Sequence, residues 1–146
     1  MHLLIAPNAF KNSLTAGEAA KAIQQGFGRS RLKGDSECFP VGDGGDGTGD
    51  LLIERIGGHI VEAEARDSFG RKIRSRWGLV DSGRTAVIEM ASASGLRLLD
   101  GEELDPLRAT SHGTGDLILA ALDQDQDHKI TRILRSEEHT SELQSQ

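Results

Sequence analysis

The stretch PVGDGGDGTGD, residues 40–50, places five glycines and three aspartates in eleven residues. The short apolar run ECFPV precedes it and the helix-like pattern GDLLIERI follows, so it reads as the loop of a strand–loop–helix step, the repeating unit of an α/β fold. Within it, Gly42, Gly44 and Gly47 satisfy G-x-G-x-x-G, the pattern that cradles a dinucleotide pyrophosphate on a helix N-terminus. The charges argue against that guest. Asp43, Asp46 and Asp50 put up to three negative charges in and beside the loop, and two anions in contact repel by about 4 kcal/mol at a surface-like dielectric. The fingerprint also belongs to a first strand–helix turn, whereas this loop follows the second strand. NAD and FAD are set aside.

Carboxylates beside an N–H-rich loop suit two other tasks. Mg²⁺ is usually held by one or two carboxylates together with phosphate oxygens, and a substrate hydroxyl must be oriented or deprotonated. Both tasks point to phosphoryl transfer, in which catalysis is mostly positioning and charge stabilisation. A plain surface turn remains the alternative, because Asp-Gly is common turn chemistry. No G-x-x-x-x-G-K-[ST] occurs, which excludes a P-loop.

Working outward, HLLIA reads as a buried strand stopped by Pro7, and Thr15 with Glu18 forms a T-x-x-E capping box ahead of Ala19, Ile23 and Phe27 at helical spacing. Gly26 and Gly28 are expected to close that helix. Beyond Gly57-Gly58 the period changes. Val61, Ala63 and Ala65 alternate, DSFG turns the chain, Ile73, Ser75, Trp77 and Leu79 alternate again, and TAVIEM follows DSGR, which together predict an antiparallel meander. TSHGTGDLILAALD is then a glycine-rich entry into another helix, and HKITRIL a further strand candidate. The tetrapeptide GTGD occurs twice, at residues 47–50 and 113–116, and is expected to open two helices, with Thr or Gly as cap and Asp facing the positive dipole end.

The bulk numbers set limits. A chain of 146 residues can bury a real core, and with 3% aromatic residues that core must rest on Leu, Ile, Val and Ala. The formal net charge of -6 and the scattered arginines exclude a nucleic-acid surface. A single cysteine, Cys38, excludes an internal disulfide. The longest apolar run, residues 117–122, is far too short to span a bilayer, and the N-terminus carries no leader signature, so no membrane role and a cytoplasmic location are expected. The five histidines show no metal-ligand spacing. Lys11 lies just past a strand's carboxyl end, where open α/β sheets bind ligands; it is the nearest cation for a carboxylate or phosphate, or else a solvated loop lysine.

Five stretches, in order, resemble one family. LIAPNAFKNSLTA, PVGDGGDGT, DSFGR with the tryptophan strand, AVIEMASASGL, and DPLRATSHGTGDLILAALD make the chain similar to the bacterial type I glycerate kinases from Leu3 to about Ile133. The resemblance implies ATP- and Mg²⁺-dependent phosphorylation of D-glycerate, commonly to the 2-phosphate. It also implies a two-part α/β fold, a flavodoxin-like domain interrupted by a second α/β domain carrying the antiparallel meander. On that basis residues 1–57 are expected to form the flavodoxin-like part and 58–134 part of the second domain. By the same resemblance, Asp43 and Asp46 bind Mg²⁺ or orient the glycerate hydroxyl, and Lys11 holds a carboxylate or phosphate. Backbone N–H groups of Gly44, Gly45 and Gly47 contact phosphate or substrate. Ser92, Ser94 and Thr114 supply hydroxyl contacts, with ordinary helix capping as the alternative. Several positions depart from the family pattern. Asn8 and Ala9 stand where Asp-Ser is common, so Asn8 is assigned hydrogen bonding only, and Asp46 stands where glutamate is usual, one methylene shorter.

The family continues through a further glycine-rich segment that is absent here. Residues 135–146, RSEEHTSELQSQ, have one apolar residue in twelve and resemble the translation of a sequencing adapter, so an N-terminal fragment with a foreign, disordered tail, inactive by itself, is expected. Two other classes stay open: a non-catalytic module binding Mg²⁺ or a sugar acid, and a structural remnant whose glycines serve only as turns.

Overall fold

A computed structural model describes residues 1–10, 13–100, 104–124 and 130–137. The chain divides into two compact units, Met1–Asp43 and Gly44–Gln146.

In the first unit, strand β1 (His2–Ile5) pairs in parallel with β2 (Asp35–Cys38), Ile5 opposite Cys38. Helix α1 (Ala16–Arg29) connects them, the crossover that parallel neighbours require. Its start is the expected capping box: Thr15 Oγ1 accepts the Glu18 N–H at 3.2 Å and Glu18 Oε2 accepts the Thr15 N–H at 2.8 Å. Its end differs from expectation. The helix runs through Gly26 and Gly28 to Arg29, and Ser30 stops it with extended backbone. Neither glycine has a positive φ, so neither is a left-handed cap, and helical hydrogen bonding carries the chain past both. Ile5, Ala16, Ala19 and Ala20 are the buried apolar residues among those described in this unit, while Ile23 is exposed.

The second unit is a four-stranded sheet in the order β3-β4-β5-β6. Strands β3 (His59–Arg66), β4 (Lys72–Val80) and β5 (Thr85–Glu89) form the predicted meander. Strand β6 (Arg132–Ser136) adds in parallel to β5. Arg135 and Ser136 therefore belong to a strand, although they open the stretch expected as a tail; residues 138–146 of that stretch lie outside the described residues.

Alternation along β4 assigns helices to opposite faces. Trp77 joins Ala65, Ala86, Ile88, Ala93, Leu117 and Ala121 in one buried cluster, which seats the short helix α3 (Ala91–Ser94) and helix α4 (His112–Asp123). Gly78 faces the other way, toward helix α2 (Thr48–Ile56). A Cβ on Gly78 would stand 2.3 Å from Ile53 Cδ1, so glycine lets α2 press directly on the strand. Helix α4 buries Leu117 and Ala121 but leaves Leu119 and Leu122 exposed. Among the described residues, no helix is long and apolar enough to cross a membrane.

The repeated GTGD occupies two different helical positions. Thr48 is the first residue of α2 behind Gly47 as N-cap, whereas α4 begins two residues earlier relative to its copy, at His112 behind Ser111, and neither cap is a side-chain hydrogen bond. The shared aspartates pair with arginines of the meander: Asp50 with Arg76 at 2.8 Å, and Asp116 with Arg66 at 2.6 Å. A cross-element ion pair, rather than capping, is what the two copies have in common.

Candidate functional site

The glycine-rich loop enters α2 with two residues in conformations that favour glycine. Gly44 has φ 101° and Gly47 φ 84°, and a Cβ on Gly44 would meet the Glu137 carbonyl oxygen at 2.4 Å. The Gly44 N–H donates to Thr48 Oγ1 at 3.1 Å, and the Thr48 N–H donates to the Gly45 carbonyl at 3.1 Å. These short-range bonds fold the loop back onto the first turn of α2.

A residue outside the sequence-predicted set completes the arrangement. Glu89 closes β5, a strand buried throughout, and lies on the same face as Val87, the partner of Gly78. Its Oε1 accepts the Gly47 N–H at 3.1 Å and its Oε2 accepts the Gly49 N–H at 2.7 Å. A buried carboxylate is tolerable only where donors replace its water, and a helix N-terminus offers both unpaired N–H groups and partial positive charge. Gly49 makes the approach possible, since a Cβ there would sit 3.0 Å from Glu89 Oε2. Glu89, Gly49, Asp50, Arg76, Ile53 and Ser92 line one pocket on the α2 face of the sheet.

Asp46, also in this unit, has divided partners. Oδ2 pairs with Arg97 Nε at 2.6 Å, in the 3₁₀ turn Leu96–Leu98 after α3. Oδ1 is buried and has no hydrogen-bond partner. A carboxylate oxygen with no protein partner can serve a hard cation, and one such carboxylate with phosphate oxygens is a usual magnesium set, so the donor chemistry of Asp46 fits Mg²⁺. Among the described residues no group of three or more His, Cys, Asp or Glu side chains could hold a metal without such help.

The hydroxyl residues separate into two places. Ser92 lines the α2-side pocket, and its carbonyl accepts the Ser75 hydroxyl at 2.6 Å. Ser94 Oγ and Thr114 Oγ1 share a 3.0 Å hydrogen bond that ties α3 to α4, and the Ser68 hydroxyl donates to the Ser94 carbonyl at 3.3 Å. The turn containing Ser68 is itself fixed. Asp67, only 1% exposed, accepts the Phe69 and Arg71 N–H groups at 2.9 Å each and pairs with the Arg71 guanidinium. Burial raises the Asp67 pKa, but the Arg71 side chain and the two backbone donors outweigh it and hold the carboxyl below its usual range.

Asn8 and Asp43 lie in the first unit, where Asn8 Oδ1 accepts the Ala9 N–H at 2.7 Å. Lys11 lies outside the described residues. The structure thus gathers Gly44, Gly45, Asp46 and Gly47 at the start of α2 and pairs Ser94 with Thr114. It adds Glu89, Arg97 and Arg76, which the sequence reading passed over. Glu89 carried a signal, being the one acid at the end of a strand otherwise apolar or Thr; the arginines, scattered in sequence, carried none.

Comparison with known proteins gives a consistent result. The profile of the glycerate kinase family matches residues 3–133. Over 123 residues, the chain is 47% identical to the glycerate kinase of Haemophilus influenzae, covering 84% of this chain and 32% of that protein. It is 44% identical over 133 residues to the glycerate kinase of Bacillus subtilis, covering 91% and 35%, and 44% identical over 123 residues to the glycerate 2-kinase of Escherichia coli, covering 84% and 32%. A crystal structure from Salmonella typhimurium LT2, described as a glycerate kinase 2, superposes with a TM-score of 0.68 at 40% identity, covering 93% of this chain and 35% of that one. The chain spans about a third of the length of each relative.

Proposed function

The chain belongs to the glycerate kinase family, its α/β architecture is part of that family's fold, and we propose that it contributes the acceptor-side loop of a kinase acting on D-glycerate. In the complete enzyme a glycerate hydroxyl oxygen attacks the γ-phosphorus of ATP, ADP leaves, and the hydroxyl proton passes to a base or to water. The product is a phosphoglycerate, with the 2-phosphate the expected isomer. Such an enzyme works in the cytoplasm.

The observation that carries this reading is Asp46, one of whose oxygens is held by Arg97 while the other is buried and unpartnered. Asp46 would hold Mg²⁺ or orient the hydroxyl that is to be phosphorylated, and the family resemblance assigns Asp43 the same role. Bound Mg²⁺ would offset the charge that gathers on the phosphate oxygens. Gly44, Gly45 and Gly47 form the loop that faces the acceptor substrate, Lys11 would hold a carboxylate or phosphate, and Asn8 serves as a hydrogen-bonding group. Ser92, Ser94 and Thr114 add hydroxyl contacts.

The assignment predicts that the complete enzyme containing residues 3–133 of this chain converts D-glycerate and Mg·ATP into a new phosphomonoester visible by ³¹P NMR. The 146-residue chain alone is expected to give none. A complete enzyme that makes no phosphomonoester from D-glycerate would overturn the reading.

A further inference from the structure

We propose that Glu89 is the internal anion of the loop. Its carboxylate occupies the anion seat at the start of α2, fixes the loop's shape, and keeps the nucleotide's phosphates away from the Gly47 and Gly49 amides. The inference deepens the kinase reading and rests on it for its functional meaning. A glycine-rich loop opening a helix ordinarily receives a phosphate on its N–H groups. Here the seat is filled from within: both Glu89 oxygens are engaged, at 3.1 Å to Gly47 and 2.7 Å to Gly49.

Three further observations agree. Glu89 is buried, and the two N–H donors take the place of the water its carboxylate would otherwise bind. Gly49 has no side chain where one would press on Glu89, so the sequence keeps the space the carboxylate needs. The Gly44 N–H, too, is spent within the loop, on Thr48. An incoming phosphate would have to displace a carboxylate that is already covalently delivered by β5. The loop is therefore shaped for the acceptor hydroxyl and a cation, and Glu89 acts as a positioning residue for it.

Inorganic phosphate, titrated into the ¹⁵N-glycine-labelled 146-residue chain, tests this. In the wild type the Gly47 and Gly49 amide resonances are expected to stay in place. In Glu89→Gln, which keeps size and one acceptor but loses the charge, both should shift saturably. A wild type that shifts as the variant does, or a variant that stays silent, would overturn the proposal. Should Glu89→Gln fail to fold, amide hydrogen exchange of the wild type decides: Gly47 and Gly49 should exchange as slowly as the interior of α2, and fast exchange at both would refute the clasp. Neither readout uses ATP or D-glycerate, so a failed kinase assay and a failed clasp are distinguishable.

Discussion

Glu89 Oε2 accepts the Gly49 N–H at 2.7 Å, and a Cβ added to residue 49 would stand 3.0 Å from that same oxygen. Strand end and helix start are joined at that point, and the glycine is required by the strand's carboxylate as much as by the helix. Gly49→Ala should therefore lower stability by about 1–3 kcal/mol, the range for disturbing a hydrogen bond to a buried charged group. Urea unfolding followed by the fluorescence of Trp77, the single tryptophan and a buried one, measures it; an unchanged midpoint would count against the contact.

Two other glycines predict opposite signs. A Cβ on Gly113 would lie 1.7 Å from the Arg66 carbonyl oxygen, a backbone atom with little freedom, so Gly113→Ala should destabilise by about 1–3 kcal/mol or more. Gly26 meets nothing within 4 Å and lies inside α1. Gly26→Ala should stabilise by about 0.5–1 kcal/mol through backbone entropy alone. Thermal unfolding of the two variants should move in opposite directions.

Acid should loosen the second unit through two aspartates. Asp67 is held below its usual range as described, and Asp116 is lowered chiefly by the hydrogen bond from the Arg66 side chain. A carboxyl with a depressed folded pKa contributes stability above its unfolded pKa, near 4, and loses it as pH falls through the folded value. The unfolding midpoint should hold above about pH 5 and fall below about pH 4. Arg71→Met should weaken the acid dependence, and a midpoint that stays flat as pH falls below about 4 would contradict it.

Much of this was readable before the structure. The meander followed from alternation at Val61, Ala63 and Ala65 and at Ile73, Ser75 and Trp77, because period two has one structural meaning over such lengths. The capping box of α1 followed from Thr15 and Glu18. Helix ends were less legible: Gly26 and Gly28 look like stops, but a glycine ends a helix only where the chain takes a left-handed turn, and nothing local to them demands one. The site was half legible. Asp46 and the loop glycines announce themselves by density, whereas Glu89 and Arg97 reach the loop from 43 and 51 residues away from Asp46 in sequence, and only the pairing of β4 with β5 and the turn after α3 bring them there. The GTGD repeat was half legible: Gly47 caps α2 with Asp50 in its first turn, whereas the second copy lies inside α4 behind Ser111, and what unites the copies is an arginine partner on another element.

The most direct test of the account is D-glycerate-dependent ATP consumption by the complete enzyme containing residues 3–133, wild type beside Asp46→Asn, with Mg²⁺ varied. The account predicts turnover in the wild type and a loss of about 10²-fold or more in Asp46→Asn, the scale on which removing one charge-stabilising group from an active site is felt, with the Mg²⁺ requirement raised. Turnover and Mg²⁺ dependence unchanged in Asp46→Asn, or no D-glycerate-dependent consumption in the wild type, would contradict it.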